Sequence, residues 1–227
     1  MQRRQELVRT EISKGREMIV LGITGGIGSG KTTASEYREG KGFPRIDVDE
    51  IGRELTADGQ PVLEIIRDRF GCVNEGGNSG NGLVLDRRAL AGVIFNDDDK
   101  LAEFNEIIHT RMIRQMDRDI ADYREIEAKS LNSCTEEFRA VLLDAPLLFE
   151  ANIEDRCDKI ILITADMETR IRRVAARDGA NEKDIRARIA SQMSDEEKAK
   201  LSDFVVDNSG KPCEMFRQLD EIAASLK

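Results

Sequence analysis

A glycine-rich turn set between an apolar run and a helix former constrains this chain more than any other feature. Residues Gly25 to Thr32 read G-G-I-G-S-G-K-T, directly after Met18-Ile19-Val20-Leu21-Gly22-Ile23 and directly before a helix-compatible stretch from Thr33. An apolar run of that length suits a buried strand, so the three pieces spell strand, tight turn, helix. A turn of this kind curls successive backbone N–H groups inward, and the positive end of the following helix adds to their field. The result is a cradle for phosphates. Gly25, Gly26, Gly28, Ser29, Gly30 and Thr33 frame it, Lys31 reaches the β- and γ-phosphates, and the Thr32 hydroxyl holds Mg²⁺. A chance glycine-rich turn is the alternative, and the match at all specified positions with the correct flanks argues against it.

The rest of the chain supplies what such a loop needs. Further apolar runs at 44–48, 140–143, 159–164 and 204–206 alternate with helical patterns, which predicts an α/β fold around a parallel sheet. Between 49 and 130 the patterns are successively helical (61–70, 87–95, 100–129) with no strand interrupting them, as expected of a helical substrate-binding insertion. The expected division is a kinase-like core of 18–50 and 138–227 with a lid at about 166–200 made of two helical runs joined near Gly179, and a helical subdomain of 51–137. Asn74 to Gly82 is rich in Gly and Asn and reads as a flexible surface loop, and Leu131–Glu137 as a polar connection. In the last helix Met215, Phe216, Leu219, Ile222, Ala223 and Leu226 share a face suited to docking on the sheet.

Charge and cysteine usage exclude other classes. The net charge of -9, from 44 acidic and 35 basic residues mixed along 227, argues against broad binding to nucleic acid. The four cysteines lie far apart and His109 is the single histidine, so no zinc-like spacing exists and free thiols in a reducing cytoplasm are expected. No stretch approaches the roughly 20 apolar residues that span a bilayer. Met18 immediately precedes the first strand, so residues 1–17 read as a dispensable extension without fixed structure, and Met18 as an alternative start.

Several side chains are candidates for chemistry, each with a plainer alternative. In R-I-D-V-D-E, strand periodicity places Asp47 and Asp49 on one side, where a carboxylate can accept a proton from, or orient, an attacking hydroxyl. Asp49 is equally suited to capping a helix. Asp144 ends the apolar strand Val141-Leu142-Leu143, a place for a metal-supporting carboxylate or for a cap. Arg173 and Arg177 are four apart and share a helical face, either as a clamp on a triphosphate or as a solvated surface paired with acids. His109 is either a half-buried packing residue or a donor to substrate.

Taken in order, T-G-G-I-G-S-G-K-T-T at 24–33, I-D-V-D-E-I-G-R-E at 46–54, L-D-R-R-A-L at 85–90, P-L-L-F-E at 146–150, the Arg173–Asp178 segment, R-I-A-S-Q at 188–192 and V-V-D-N-S-G at 205–210 resemble the dephospho-CoA kinase family. The resemblance runs from Met18 nearly to the C-terminus. It implies a three-layer phosphate-loop fold with a helical acceptor-binding domain and a lid, transferring the γ-phosphoryl of ATP, with Mg²⁺, to the ribose 3′-hydroxyl of dephospho-CoA. It implies Asp49 as the catalytic carboxylate with Asp47 beside it, and Lys31, Arg173 and Arg177 on the transferring phosphoryl. Arg53, His109, Leu147, Leu148, Phe149 and Glu150 would line the acceptor side, and Asn208 the ATP adenine. After His109, where many relatives have Pro and an Arg four residues beyond the His, this chain has Thr110 and Ile113. The implied protein is a cytoplasmic monomer or weak homo-oligomer with a small-molecule substrate and no nucleic-acid or membrane partner. An N-K-x-D guanine-reading motif is missing, because Asn208 is followed by Ser-Gly-Lys, which disfavours a GTPase switch.

Overall fold

A computed structural model of the chain describes residues 18–76, 82–131 and 140–226. Five strands, β1 (Ile19–Thr24), β2 (Arg45–Asp47), β5 (Ala140–Asp144), β6 (Lys159–Thr164) and β7 (Phe204–Asp207), form one sheet in the order β2-β5-β1-β6-β7. Every neighbouring pair is parallel. Parallel neighbours need crossovers, and the helices that supply them cover both faces.

The two-residue period of the strands divides the core. Val20, Val141 and Leu143 pack on one face with Val48 and Ile51 of α2 (Val48–Leu55) and Met116 and Ile120 of α5 (Asp98–Leu131). Leu21, Ile23, Leu142 and Ile163 pack on the other with Ala34 of α1 (Lys31–Glu39) and Met215 and Leu219 of α9 (Pro212–Ser225). Three layers result, as expected from the alternation of runs. Tyr37 and Phe216 stack at 4.1 Å between ring centroids where α1 meets α9.

The insertion has its own core. Val62, Leu63, Ile66 and Phe70 of α3 (Val62–Phe70) pack with Leu90 and Ile94 of α4 (Arg87–Ile94) and with Ile108 of α5. Because Ile108 belongs to this cluster and Met116 and Ile120 to the sheet's, the long helix α5 ties the insertion to the core. Helix α2 likewise runs across residues 50 and 51, where the core was expected to give way to the subdomain.

Three expectations are corrected. A two-stranded antiparallel hairpin, β3 (Val73–Glu75) with β4 (Leu83–Leu85), interrupts the insertion. Strands of three residues are too short to show periodicity. The Gly/Asn-rich segment joins them, Gly76 N–H donating to Gly82 O at 2.9 Å, and residues 77–81 within it lie outside the described residues. The expected two helices of the lid region are three, α6 (Met167–Asp178), α7 (Glu182–Ala190) and α8 (Asp195–Leu201). A Ser194–Glu197 capping box starts the third. Finally, β2 ends at Asp47, so Asp49 sits in the first turn of α2 rather than on the strand. Asp47 Oδ1 accepts from Glu50 N–H at 3.0 Å and caps that helix, the part considered for Asp49. The extension 1–17 and most of the polar connection after Leu131 also lie outside the described residues.

Candidate active site

The phosphate loop leaves the end of β1 and enters α1 through Gly30. Gly28 and Gly30 have φ of 80° and 93°, a left-handed conformation that L side chains avoid, and a Cβ at Gly30 would collide with the Asn208 side chain. No side chain caps α1 and its first turn carries no acidic residue, so its N-terminal N–H groups and dipole are uncompensated. That is the electrostatic requirement of an anion site.

The loop is held from behind by side chains of three other segments. Ile27 N–H donates to Gln192 Oε1 at 2.9 Å, and Ile27 O accepts from Arg170 Nε at 2.9 Å. Arg170 is in turn paired with Asp195 at 3.1 Å. Asn208 donates from Nδ2 to Ser29 O at 2.7 Å. Arg173 donates to Ser29 O at 3.3 Å, Gly28 O at 3.4 Å and Asn208 O at 2.8 Å. The two arginines are three apart on α6 and grip the loop's carbonyls, while two of its N–H groups are engaged within the protein, Ile27 on Gln192 and Ser29 on Gly26 O. Ser29 Oγ and Asn208 Oδ1 are buried without a protein partner.

At the ends of the strands beside the loop stand the acids. Asp47 and Asp144 are register partners on β2 and β5. Asp144 is 1% exposed and forms an ion pair through Oδ1 with Lys31 Nζ. Asp49, one turn into the cleft, is open to solvent on one side. Loss of hydration on its other side pushes its carboxyl above the usual range; Lys31 pulls it down, and Asp47 and Asp144 push it further up. Carboxylate and loop lysine therefore share one electrostatic field.

Asp49 also forms one end of a cavity of about 490 Å³ between α2 and the insertion, lined by Arg53, Thr56, Arg87, Leu90, Ile94, Phe95 and Phe104 among others. Phe95 is 74% exposed at this cavity, and Arg87 donates to Thr56 Oγ1 at 3.1 Å. The site thus has a cationic and acidic end facing the loop and an apolar remainder, the form of a pocket for a large organic acceptor.

Other expected residues lie elsewhere. Arg177 turns to Asp178 at 2.6 Å, and Arg188 reaches the same carboxylate at 3.0 Å. His109 is exposed and borders an apolar crevice of about 20 Å³ with Met112, Met116 and Ala151, while its neighbour Ile108 faces the large cavity. Leu148 and Phe149 are buried in the sheet's core and Leu147 is half exposed. Glu150 Oε1 accepts from Met193 N–H at 3.1 Å and pairs with Lys198 at 2.9 Å, a lysine that is fully buried. These contacts join the segment after β5 to α8.

Sequence reasoning passed over Arg170, Gln192, Arg87, Phe95 and Phe104. Arg170 was detectable as the residue one turn before Arg173, and Gln192 and Arg87 stand inside segments that carry the family resemblance. Phe95 and Phe104 carry no local signal, because their place at the cavity depends on how α4 meets α5.

Comparison with known proteins supplies the lineage of this arrangement. A sequence model described as dephospho-CoA kinase matches residues 19–214. The dephospho-CoA kinase of Corynebacterium glutamicum is 34% identical over 212 residues, covering 92% of this chain and 97% of that protein, and that of Fusobacterium nucleatum is 31% identical over 211 residues, covering 92% and 99%. A solved structure from Thermus thermophilus superposes with a TM-score of 0.73 at 30% identity, over 93% of this chain and 99% of that one. With a phosphate loop, a carboxylate beside it that also lines a cavity, and similarity along nearly its whole length, the chain belongs to the dephospho-CoA kinase family.

Proposed function

We propose that the chain transfers the γ-phosphoryl group of ATP to the ribose 3′-hydroxyl of dephospho-CoA, giving ADP and CoA, the last step of coenzyme A biosynthesis. The observation that carries this reading is the position of Asp49, which borders the acceptor cavity and lies in the field of Lys31 of the phosphate loop. A hydroxyl delivered from the cavity meets Asp49 on the way to the γ-phosphorus. Asp49 takes or orients its proton, for which it must be ionised; burial raises its pKa and Lys31 offsets part of that rise. Phosphoryl transfer demands little covalent work from the protein, so positioning and charge stabilisation do most of it.

Lys31 and the loop N–H groups receive the β- and γ-phosphates, with Gly25, Gly26, Gly28, Ser29, Gly30, Lys31, Thr32 and Thr33 as the nucleotide cradle. Arg173 adds positive charge beside the loop, and Arg177 joins it when the lid closes, by exchange of its Asp178 partner for phosphate. Asn208, with a buried unpaired Oδ1, is the contact toward the adenine. Arg53, with Asp49, meets the acceptor; the segment Leu147, Leu148, Phe149 and Glu150 backs that side from the core and from its contacts with Met193 and Lys198, and His109 stands apart from it. The groups available to Mg²⁺ are the Thr32 hydroxyl and the Asp144 carboxylate. Both are hard oxygen donors, which suits this ion. Among the described residues no group of three or more His, Cys, Asp or Glu side chains could hold a metal alone, so phosphate oxygens and water would complete its shell, as is usual for Mg²⁺. When bound, the ion neutralises charge between the β- and γ-phosphates.

No described helix is long and apolar enough to cross a membrane. Cys72, Cys157 and Cys213 are free thiols, and the enzyme we propose is cytoplasmic, a monomer or weak homo-oligomer, acting on a small molecule and not on nucleic acid or membrane. ADP release in the presence of Mg-ATP should rise on addition of dephospho-CoA and stay at background with Asp49→Asn. Release indifferent to dephospho-CoA would contradict the proposal.

A further inference from the structure

The register of the sheet creates a problem that one residue solves. Asp47 and Asp144 end adjacent parallel strands as direct partners, which sets two carboxylates side by side. Arg45 lies two residues before Asp47 on β2, so its side chain leaves the strand on the same side. The guanidinium stands 3.3 Å from Asp47 Oδ2, 3.4 Å from Asp144 Oδ2 and, through Nε, 3.2 Å from Glu39 Oε2 at the end of α1. The Asp144 carboxylate is thus divided, with Oδ1 on Lys31 and Oδ2 on Arg45.

That division matters once nucleotide binds. Lys31 is the group that moves to the β- and γ-phosphates, and its departure removes one of the two cations on a carboxylate only 1% exposed. A buried carboxylate stripped of its partners is strongly disfavoured. Arg45 is fastened on the far side by Glu39 and does not follow Lys31. Burial lowers the basicity of the guanidinium, but Glu39, Asp144 and Asp47 more than reverse this, so it stays a cation throughout.

We propose that Arg45 is a positioning residue for cation binding: it holds Asp144 by Oδ2 through the nucleotide cycle, so that Oδ1, released by Lys31, is presented to the divalent ion accompanying the triphosphate. This rests on the assignment of the site to Mg-ATP. The competing role is a counter-charge that merely keeps the strand ends together.

The two roles separate in binding measurements made without turnover. Mn²⁺ bound to the protein with a non-hydrolysable ATP analogue is followed by electron paramagnetic resonance, and the analogue alone, in EDTA, by fluorescence, for wild type, Arg45→Met, Arg45→Gln, Arg45→Lys and Glu39→Gln. Arg45→Met and Arg45→Gln should each weaken Mn²⁺ binding about 10–100-fold, the usual cost of losing a residue that orients a metal's ligand. Metal-free analogue affinity should change by less than about threefold. Arg45→Lys should recover part of the Mn²⁺ affinity, and Glu39→Gln, which loosens the anchor on Arg45 but leaves its guanidinium beside Asp144, should weaken Mn²⁺ binding less than Arg45→Met or Arg45→Gln. Unchanged Mn²⁺ affinity in the folded Arg45 variants, with or without a lower melting temperature, would overturn the proposal, as would equal weakening of metal-free and metal-bound analogue. If wild type bound no analogue, the assignment of the site would fail first.

Discussion

On the side proposed for the phosphoryl donor the backbone of residues 27–29 is bonded to side chains from α6, from the α7–α8 connection and from the segment after β7, whereas on the side proposed for the acceptor Arg53, Arg87 and Phe95 stand open around a cavity of about 490 Å³. The difference follows from what each side must do. A triphosphate presents the same oxygens on every cycle, so a cradle fixed in advance spends nothing on reorganisation when charge develops. A large flexible acceptor has to enter and leave, which requires an open wall and a later closure. Asp49 stands at the boundary, helical and therefore fixed in place, with one side in solvent.

Replacing the boundary residue should have the largest effect. Asp49→Asn is expected to lower kcat by about 10²–10⁴, the range for losing a positioned base, with ATP affinity nearly unchanged. A loss at the low end would mean that orientation dominates, and unchanged turnover would remove Asp49 from the mechanism. Burial raises the Asp49 pKa, and the base must be ionised, so wild-type kcat/KM should fall with decreasing pH through a value above that of an ordinary aspartate. A limb at the ordinary aspartate position would show that water reaches Asp49 more freely than the cleft implies.

Next in size is the rigidity of the donor side. Gly30→Ala places a Cβ at a φ of 93° and against Asn208. The conformation alone costs roughly 1–2 kcal/mol, so ATP affinity should fall about 5–30-fold by calorimetry, with the KM for acceptor little changed. An unchanged affinity would mean that the cradle is softer than its contacts suggest. The acceptor side should respond in the opposite parameter: Phe95→Ala or Arg53→Ala should raise the KM for dephospho-CoA about tenfold and leave that for ATP within about threefold. Equal changes in both would dissolve the distinction between the two sides. His109→Ala, at an exposed crevice apart from the cavity, should alter either parameter by less than about twofold.

The donor side was legible because it is local. Eight consecutive residues bend the chain, and the strand and helix that hold them are their immediate neighbours, so Gly25–Thr32 announced the strand, turn and helix that the structure has there. The central strands β1, β5 and β6 were readable for the same reason, as apolar runs buried on both faces, whereas the edge strands β2 and β7 are shorter and only partly buried. What escaped was long-range. Arg170 and Gln192 reach Ile27 across 143 and 165 residues, and no spacing rule links them. Choosing Arg173 and Arg177 as a pair was sound for one helix face, yet the loop lies on the side where Arg170 joins Arg173. Strand periodicity misplaced Asp49 because Asp47 stops the strand by capping the next helix. Leu148 and Phe149 show the converse, a segment that carries the family resemblance and whose apolar members fill the core.

The most direct test of the whole account is mass-spectrometric analysis of the products formed from Mg-ATP with dephospho-CoA, with adenosine, nucleoside monophosphates and shikimate as parallel acceptors. The account predicts CoA from dephospho-CoA and no phosphorylation of the others. Phosphorylation of a different acceptor, or of none while ATP still binds, would contradict it.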